Sequence, residues 1–313
     1  MSRRHPCLRV PLVVAQAIAV VFGAAGAVIA TAQIAPAQPV QLKEFSVVGQ
    51  PVPGENKTMG RYQQPEWTAR RRFVMTSVYV QPEGQMEFEF GYDASSYSGL
   101  PSTRRWAQEI EIGLPHRFQL NLENSYQDFR ADDPGKKAWH EESFTPELRY
   151  ALADWGKLPL NPAVSVGWKA NVGQADAVDF QLLVADELSP KWHWGSALLY
   201  ERQLGKPDFR EYALSAGLSY SLRNEQLNVG AEFKYSHTVN DPVMGRAQDR
   251  VAVGPSLQWR PVDQMHLDVA PLWGIGSRAP RLEVFIFVGF EFGDGADDGD
   301  DKPKVEPASL RGR

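Results

Sequence analysis

The stretch YALSAGLSYSLRNEQLNVGAEFKYS, residues 212–236, decides the fold. It holds two alternating runs joined by a few polar residues. Successive side chains of an extended chain point to opposite faces. Tyr212, Leu214, Ala216, Leu218 and Tyr220 therefore share one face, and Leu227, Val229, Ala231, Phe233 and Tyr235 share the matching face of the second run. The opposite face carries Ser215, Gly217, Ser219, Asn228, Gly230, Glu232 and Lys234. The hairpin thus has one apolar side and one side that is small, polar and charged. Taken alone, it fits any half-buried sheet.

The rest of the chain repeats the pattern. Twelve strand-like segments are predicted at about 84–93, 106–114, 117–128, 142–154, 161–170, 177–187, 190–201, 210–222, 225–236, 249–260, 263–273 and 281–292. FQLNLENSY (118–126), MEFEFGYD (86–93) and LNVGAEFKY (227–235) alternate most clearly. Most segments are about 9–13 residues long. Soluble strands peak near 5 or 6 residues, whereas a tilted strand crossing a bilayer needs about 9–11.

The connections alternate as well. Those after even-numbered segments are tight, at Pro115-His116, Ser189-Pro190, Arg223-Asn224 and Pro261-Val262, with ADWGKLPLN near 153–161 as the exception. Those after odd-numbered segments are longer, as in SSYSGLPSTRR (95–105), RADDPGKKAWHE (130–141), RQLGKPDF (202–209) and HTVNDPVMGRAQ (237–248). Trp192, Trp194 and Trp259 sit beside the tight turns, and Trp106, Tyr126, Tyr200, Tyr235 and Trp273 near the opposite ends. Aromatic rings gather at the headgroup layers of a membrane, although they also enrich any strand. Together these features predict an all-β fold, a transmembrane antiparallel beta-barrel of about 12 strands with an even strand count.

The ends have a different character. MSRRHPCLR is a basic start, followed by the apolar run PLVVAQAIAVVFGAAGAVIATA, and Ala30-Thr31-Ala32 closes it with small residues. This predicts a signal peptide over 1–32, cleaved near Gln33, and the alternative is an uncleaved anchor. Cleavage removes the single cysteine, Cys7, and with it any disulfide framework. It also takes the net charge from -5 to about -8, since the leader holds Arg3, Arg4 and Arg9 and no acid. An exported acidic chain argues against nucleic acid as a partner. No later apolar run is long enough for a membrane helix.

Residues 33–81 read as a periplasmic lead-in or partial lumen plug, and 82–292 as the barrel. The tail, 293–313, is charged and poor in apolar residues. Its GDGADDGDD run lacks the spacing and closing Glu of a calcium loop. RRRFVMTSVYV (70–80) is either a thirteenth strand, which would spoil even closure, or a segment within or beneath the lumen, and the second reading fits the count. Its three arginines are either a solvated flank or a contact for anions.

If the apolar residues face lipid, the inward set follows. Glu87, Glu89, Glu109, Glu111, Glu123, Glu147, Arg149, Lys169, Glu232, Lys234, Arg250 and Asp268 become lumen-lining candidates, with Asp93 in phase. Charges turned inward require water or partners. They could line an aqueous path for a small solute, or they could knit a closed scaffold together.

The chain resembles bacterial outer-membrane beta-barrel proteins, in particular a poorly characterised transporter-like group. The resemblance lies in the strand pattern over roughly 82–292 and in the final strand, LEVFIFVGFEF (282–292), where Phe290 and Phe292 are in phase. In that group the last strand usually ends the chain on Phe, whereas here a tail follows Phe292. The resemblance implies residence in the outer membrane of a Gram-negative bacterium, outer-membrane lipids and the barrel assembly machinery as partners, and passage of a small molecule. The alternative is a structural or surface-interaction barrel with a closed, ion-paired lumen, and the third reading is an outer-membrane lipid hydrolase. Hydrolysis needs a nucleophile beside a base. His140 with Ser143 differ in strand parity, Ser236 and His237 point to opposite faces, and no G-x-S-x-G occurs. No catalytic residue, cofactor or metal site is assigned, and the chain reads as a non-enzyme.

Overall fold

The computed structural model describes residues 58–293, except 71–72, 74–76, 98–101, 129–138, 207, 224–225, 241–246 and 277–278, and it leaves out the side chain of His140. The leader over 1–32 with Cys7, the start of the lead-in, the tail beyond Gly293 and the His140–Ser143 pairing lie outside the described residues. None of the described helices is long and apolar enough to cross a membrane, which says nothing of crossing by strands.

A short hairpin opens the described chain, β1 (Thr58–Met59) with β2 (Gln64–Pro65), and leads into α1 (Glu66–Arg70). Twelve long strands follow: β3 (Met86–Ser96), β4 (Thr103–Leu114), β5 (Phe118–Asp128), β6 (Trp139–Ala151), β7 (Ala163–Asn171), β8 (Ala177–Ser189), β9 (Trp192–Gln203), β10 (Arg210–Arg223), β11 (Leu227–Val239), β12 (Gln248–Val262), β13 (Met265–Ile275) and β14 (Leu282–Phe292). Each pairs antiparallel with its sequence neighbours, and β14 pairs with β3 to close the barrel. An even number of antiparallel strands lets last meet first in the right sense, and closure leaves no open edge. The closing ladder runs from Leu282 opposite Ser96 to Phe292 opposite Met86, so the described residues among 70–80 form no thirteenth stave.

Pairing keeps the two faces apart around the whole barrel. One inward row reads Glu291, Glu87, Glu111, Asn121, Glu147 and Gly167 across β14 and β3 to β7. The outward face is apolar and open, with Leu198 51%, Phe180 51% and Trp168 47% exposed. On β9 and β10 this belt is bounded at both ends. Trp192 meets Tyr220 at 4.9 Å near the tight turns, and Tyr200 meets Tyr212 at 5.1 Å near the long loops. Eight residues separate the two levels, about 20 Å at the usual strand rise and tilt, which fits between the girdles of a band about 25 Å tall.

The turns differ in detail from the sequence expectation. The β4–β5 connection is a 3₁₀ turn over Pro115–Arg117, where His116 and Arg117 take left-handed φ values of 62° and 66°. The β8–β9 turn falls on Pro190-Lys191. β12 runs on through Pro261 and Val262, and the chain reverses at Asp263-Gln264, two residues later than the proline suggests. Proline lacks only the donor N–H, so a strand end tolerates it. The long exception at the tight-turn rim, Leu152 to Pro162, is ordered by Asn161. Its Oδ1 accepts from the Gly156 N–H at 2.6 Å, and its Nδ2 donates to the Ala185 carbonyl at 3.0 Å.

An arginine tests the belt by depth. Leu198→Arg, between the aromatic levels, is expected to cost about 2–4 kcal/mol in a bilayer, and Leu222→Arg, beyond Tyr220, about 0–1 kcal/mol. Equilibrium unfolding from lipid vesicles measures both, and equal small losses would contradict a hydrocarbon environment.

Candidate functional site in the barrel interior

The interior differs along its axis. In the tight-turn half, the described residues of Gln64–Gln81 lie against inward side chains of the wall. Trp67 stacks on His193 at 4.3 Å, and Trp155 meets Trp67 and Tyr79 edge-on at 5.5 and 5.1 Å. This explains the long connection at that rim, because Trp155 reaches the segment from it. Tyr79 donates its hydroxyl to the Ala153 carbonyl at 2.6 Å. Burial, reinforced by the nearby Asp154 carboxylate, holds the Tyr79 phenol above its usual pKa, so it stays a neutral donor.

Two glycines make room for the next contact. Gly195 and Gly217 are register partners on β9 and β10. A side-chain carbon would stand 2.9 Å from the Phe73 ring at Gly195 and 2.1 Å from it at Gly217. The ring therefore lies on bare backbone. Small inward residues of the neighbouring wall, Ala163, Ala185 and Ala197, complete the apolar floor with Leu183.

Hydrogen bonds fasten the other side of the segment. Arg149 is fully buried; its guanidinium donates to Ser77 Oγ at 2.7 Å and the Tyr79 carbonyl at 3.1 Å, and pairs with Glu147 at 3.0 Å. The Gln81 backbone N–H donates to Gln119 Oε1 at 2.6 Å, and its side-chain amide donates to Glu87 at 2.8 Å and Glu111 at 3.2 Å. Arg70 pairs with Glu66 at 2.6 Å, while Gln258 donates to the Arg70 carbonyl at 2.9 Å.

Below this lies a histidine between carboxylates. His266 Nε2 is 2.6 Å from Glu87, and Nδ1 is 2.5 Å from Asp268. Glu291 pairs with Arg260. Glu87, His266 and Glu291 bring metal-type donor atoms within 4.8 Å of one another. Yet both ring nitrogens already face carboxylates, and a guanidinium occupies the cation position beside Glu291, so the set closes as a protein network.

The long-loop half is less buried. Arg105 sits among Asp93, Glu123 and Glu142 at 3.5, 2.5 and 3.2 Å. Lys169 meets Glu201 at 3.6 Å, and Lys234 meets Glu283 at 3.5 Å. Low dielectric and shared partners make such clusters cooperative.

The twelve sequence candidates therefore fall into two groups. Glu87, Glu89, Glu111, Glu147, Arg149, Glu232 and Asp268 are buried, whereas Glu109, Glu123, Lys169, Lys234 and Arg250 are half-buried. Sequence reasoning missed Arg105, Glu142, Arg260, His266, Glu283 and Glu291. His266 is two residues from Asp268 on β13, and Glu283 and Glu291 share an inward phase on β14, so strict alternation would have found them. Ser236 and His237 do point to opposite faces: Ser236 is buried, and His237 meets Asp249 at 2.8 Å.

A family model described as "Putative MetA-pathway of phenol degradation" matches residues 109–290, more than half of the chain. No curated protein sequence matches it. Among solved structures, the chain is similar to an outer membrane channel from Pseudomonas putida F1, with 12% identity over 71% of this chain and 100% of that one and a TM-score of 0.47. It is similar to the KdgM porin with 11% identity over 66% and 99% of the chains and a TM-score of 0.43. For the NanC porin the values are 12%, 66% and 98%, with a TM-score of 0.44.

Arg149 joins wall and segment through Ser77, Tyr79 and Glu147. Arg149→Ala should destabilise the barrel by about 3–5 kcal/mol, because Glu147 loses a buried partner. It should also speed proteolysis near Ser77 and Tyr79. Chemical unfolding and limited proteolysis read the two effects, and unchanged cleavage would show that the segment is held elsewhere.

Proposed function

This chain belongs to the family of the putative MetA-pathway of phenol degradation, and from that premise we propose that it is a barrel of the Gram-negative outer membrane that passes a small molecule. One observation carries the reading. A closed wall, apolar outside and polar within, holds the described residues of 64–81 by side-chain contacts, with no strand ladder between them and the wall. Such an obstruction can leave without unmaking the wall. The family description makes small aromatic compounds the first solutes to test.

In this reading the leader over 1–32 exports the chain and is removed near Gln33. Residues 33–81 form the lead-in and plug, 82–292 the membrane barrel, and 293–313 a tail. The inward residues divide the work. Glu109, Glu123, Lys169, Lys234 and Arg250 line the vestibule on the long-loop side. Glu87, Glu89, Glu111, Glu147, Arg149, Glu232 and Asp268 line the path once the segment moves. Outer-membrane lipids surround the belt, and the assembly machinery of the membrane inserts it. Carboxylates outnumber cationic groups in the inward set, which favours cations and neutral polar solutes over anions.

A second reading has its own support. The buried pairs Arg149–Glu147 and Arg260–Glu291 suit a closed scaffold. Planar-bilayer recording separates the two. The full chain should conduct weakly, and Phe73→Ala, which empties the glycine floor, should raise conductance severalfold. Silence from both proteins would favour the scaffold. In the Phe73→Ala background, Glu232→Gln should lower the cation-to-anion permeability ratio, since Glu232 lies beside Gly217 on that floor. An unchanged ratio would remove Glu232 from the path.

A further inference from the structure

Two arginines stand side by side on the outer surface of the barrel. Arg202 on β9 and Arg210 on β10 are direct register partners, one step beyond the Tyr200–Tyr212 pair on the same face. Their side chains are 50% and 37% exposed. Like charges directly opposite on paired strands repel. A single carboxylate, Asp208 from the connecting loop, serves both: Arg202 Nε lies 3.4 Å from Oδ1, Arg210 Nε donates to Oδ1 at 3.3 Å, and Arg210 Nη2 also meets Oδ2. Lys206 on the same loop is exposed. The patch therefore keeps a positive excess next to the aromatic level, which is where lipid headgroups lie.

We propose that Arg202 and Arg210, with Lys206 above and the Tyr200–Tyr212 pair below, form a binding site for the phosphate of a lipid headgroup in the outer leaflet. The inference rests on the outer-membrane reading, which places the long-loop rim outside. Guanidinium forks suit phosphate oxygens, and two of them on neighbouring strands can grip one group from both sides. The tyrosine rings below suit the junction between acyl chains and the polar headgroup. A phosphorylated glycolipid supplies all three parts: phosphate for the arginines, sugar against the rings, and chains along Leu198 and Leu214. The geometry also makes Asp208 a placeholder. It bridges the two guanidiniums, which stay 50% and 37% exposed.

The test uses the full chain purified in detergent. It is titrated with bis-phosphorylated lipid A, with the same glycolipid after dephosphorylation, and with inorganic phosphate, and retained lipid is read by native mass spectrometry. The protein should retain the phosphorylated form, and the Arg202→Gln/Arg210→Gln variant should bind it about tenfold more weakly, a loss of about 1.4 kcal/mol. Inorganic phosphate should compete only at much higher concentration. Equal retention by the two proteins, or equal retention of the dephosphorylated lipid, overturns the site. Displacement by dilute inorganic phosphate would identify a free-phosphate site and overturn the lipid assignment. Insertion of both proteins into plain phosphatidylcholine vesicles is scored alongside. If neither inserts, the membrane reading has failed; if both insert and bind lipid A equally, only the phosphate site has.

Discussion

Every second residue of every stave points into an enclosed space, and each polar group there must find a partner or water. This constraint shapes the molecule. An outward face of leucine, valine and aromatic rings asks for nothing further, because hydrocarbon accepts it. The inward face has no such freedom, since burying an unpaired polar or charged group is costly. In the tight-turn half the chain answers with its own N-terminal segment. Gln81 serves three wall residues at once, and Arg149 serves the segment and the wall together.

That answer reaches back into the wall sequence. Where the segment comes close, the wall gives up side chains. Gly195 and Gly217 yield to Phe73, and at Gly113 a side-chain carbon would stand 1.8 Å from the Pro82 carbonyl oxygen. These glycines are packing sites, without the left-handed φ that marks the turn glycines. Ala163, Ala185 and Ala197 do the same on β7 to β9. The long-loop half lacks such a filler among the described residues, and there the charges serve one another, as Arg105 does for three carboxylates.

The strand pattern was open to reading because alternation is local. Each stave announces its two faces by itself, and the rhythm of short and long connections orders the staves. The barrel, its count and its polarity follow from the hairpin at 212–236 and its repeats. The turn after β12 was misplaced because Pro261 reads as a breaker, whereas a strand end needs no donor from it. The interior was legible only as a list of inward charges. Their pairing depends on which strands become neighbours across the sequence, as when β13 brings His266 to Glu87 on β3. Residues 64–81 lack strong periodicity, so their contacts with Arg149, Gln119 and Gly217 had no local signal at all. Period two reports which way a residue points, but not what it will meet.

The two kinds of contact that hold the segment have different consequences for opening. Water can replace the hydrogen bonds of Gln81, Ser77 and Tyr79 to the wall, because carboxylates and a guanidinium are as well served by a hydrated lumen. Losing them carries little net penalty once solvent enters. Trp67, Phe73, Val78 and Tyr79 have no such replacement. Each buried side chain of this kind contributes about 1.5–3 kcal/mol through removal from water. In the proposed opening, the aromatic face on alanine and glycine would set the resistance to release, while the polar face fixes the register in which the segment lies. A wall polar throughout would hold it weakly, and a wall apolar throughout would leave no lumen fit for water after release. The mixture along β7 to β10, small apolar residues beneath the rings and ionic groups to either side, seats the segment by both kinds of contact.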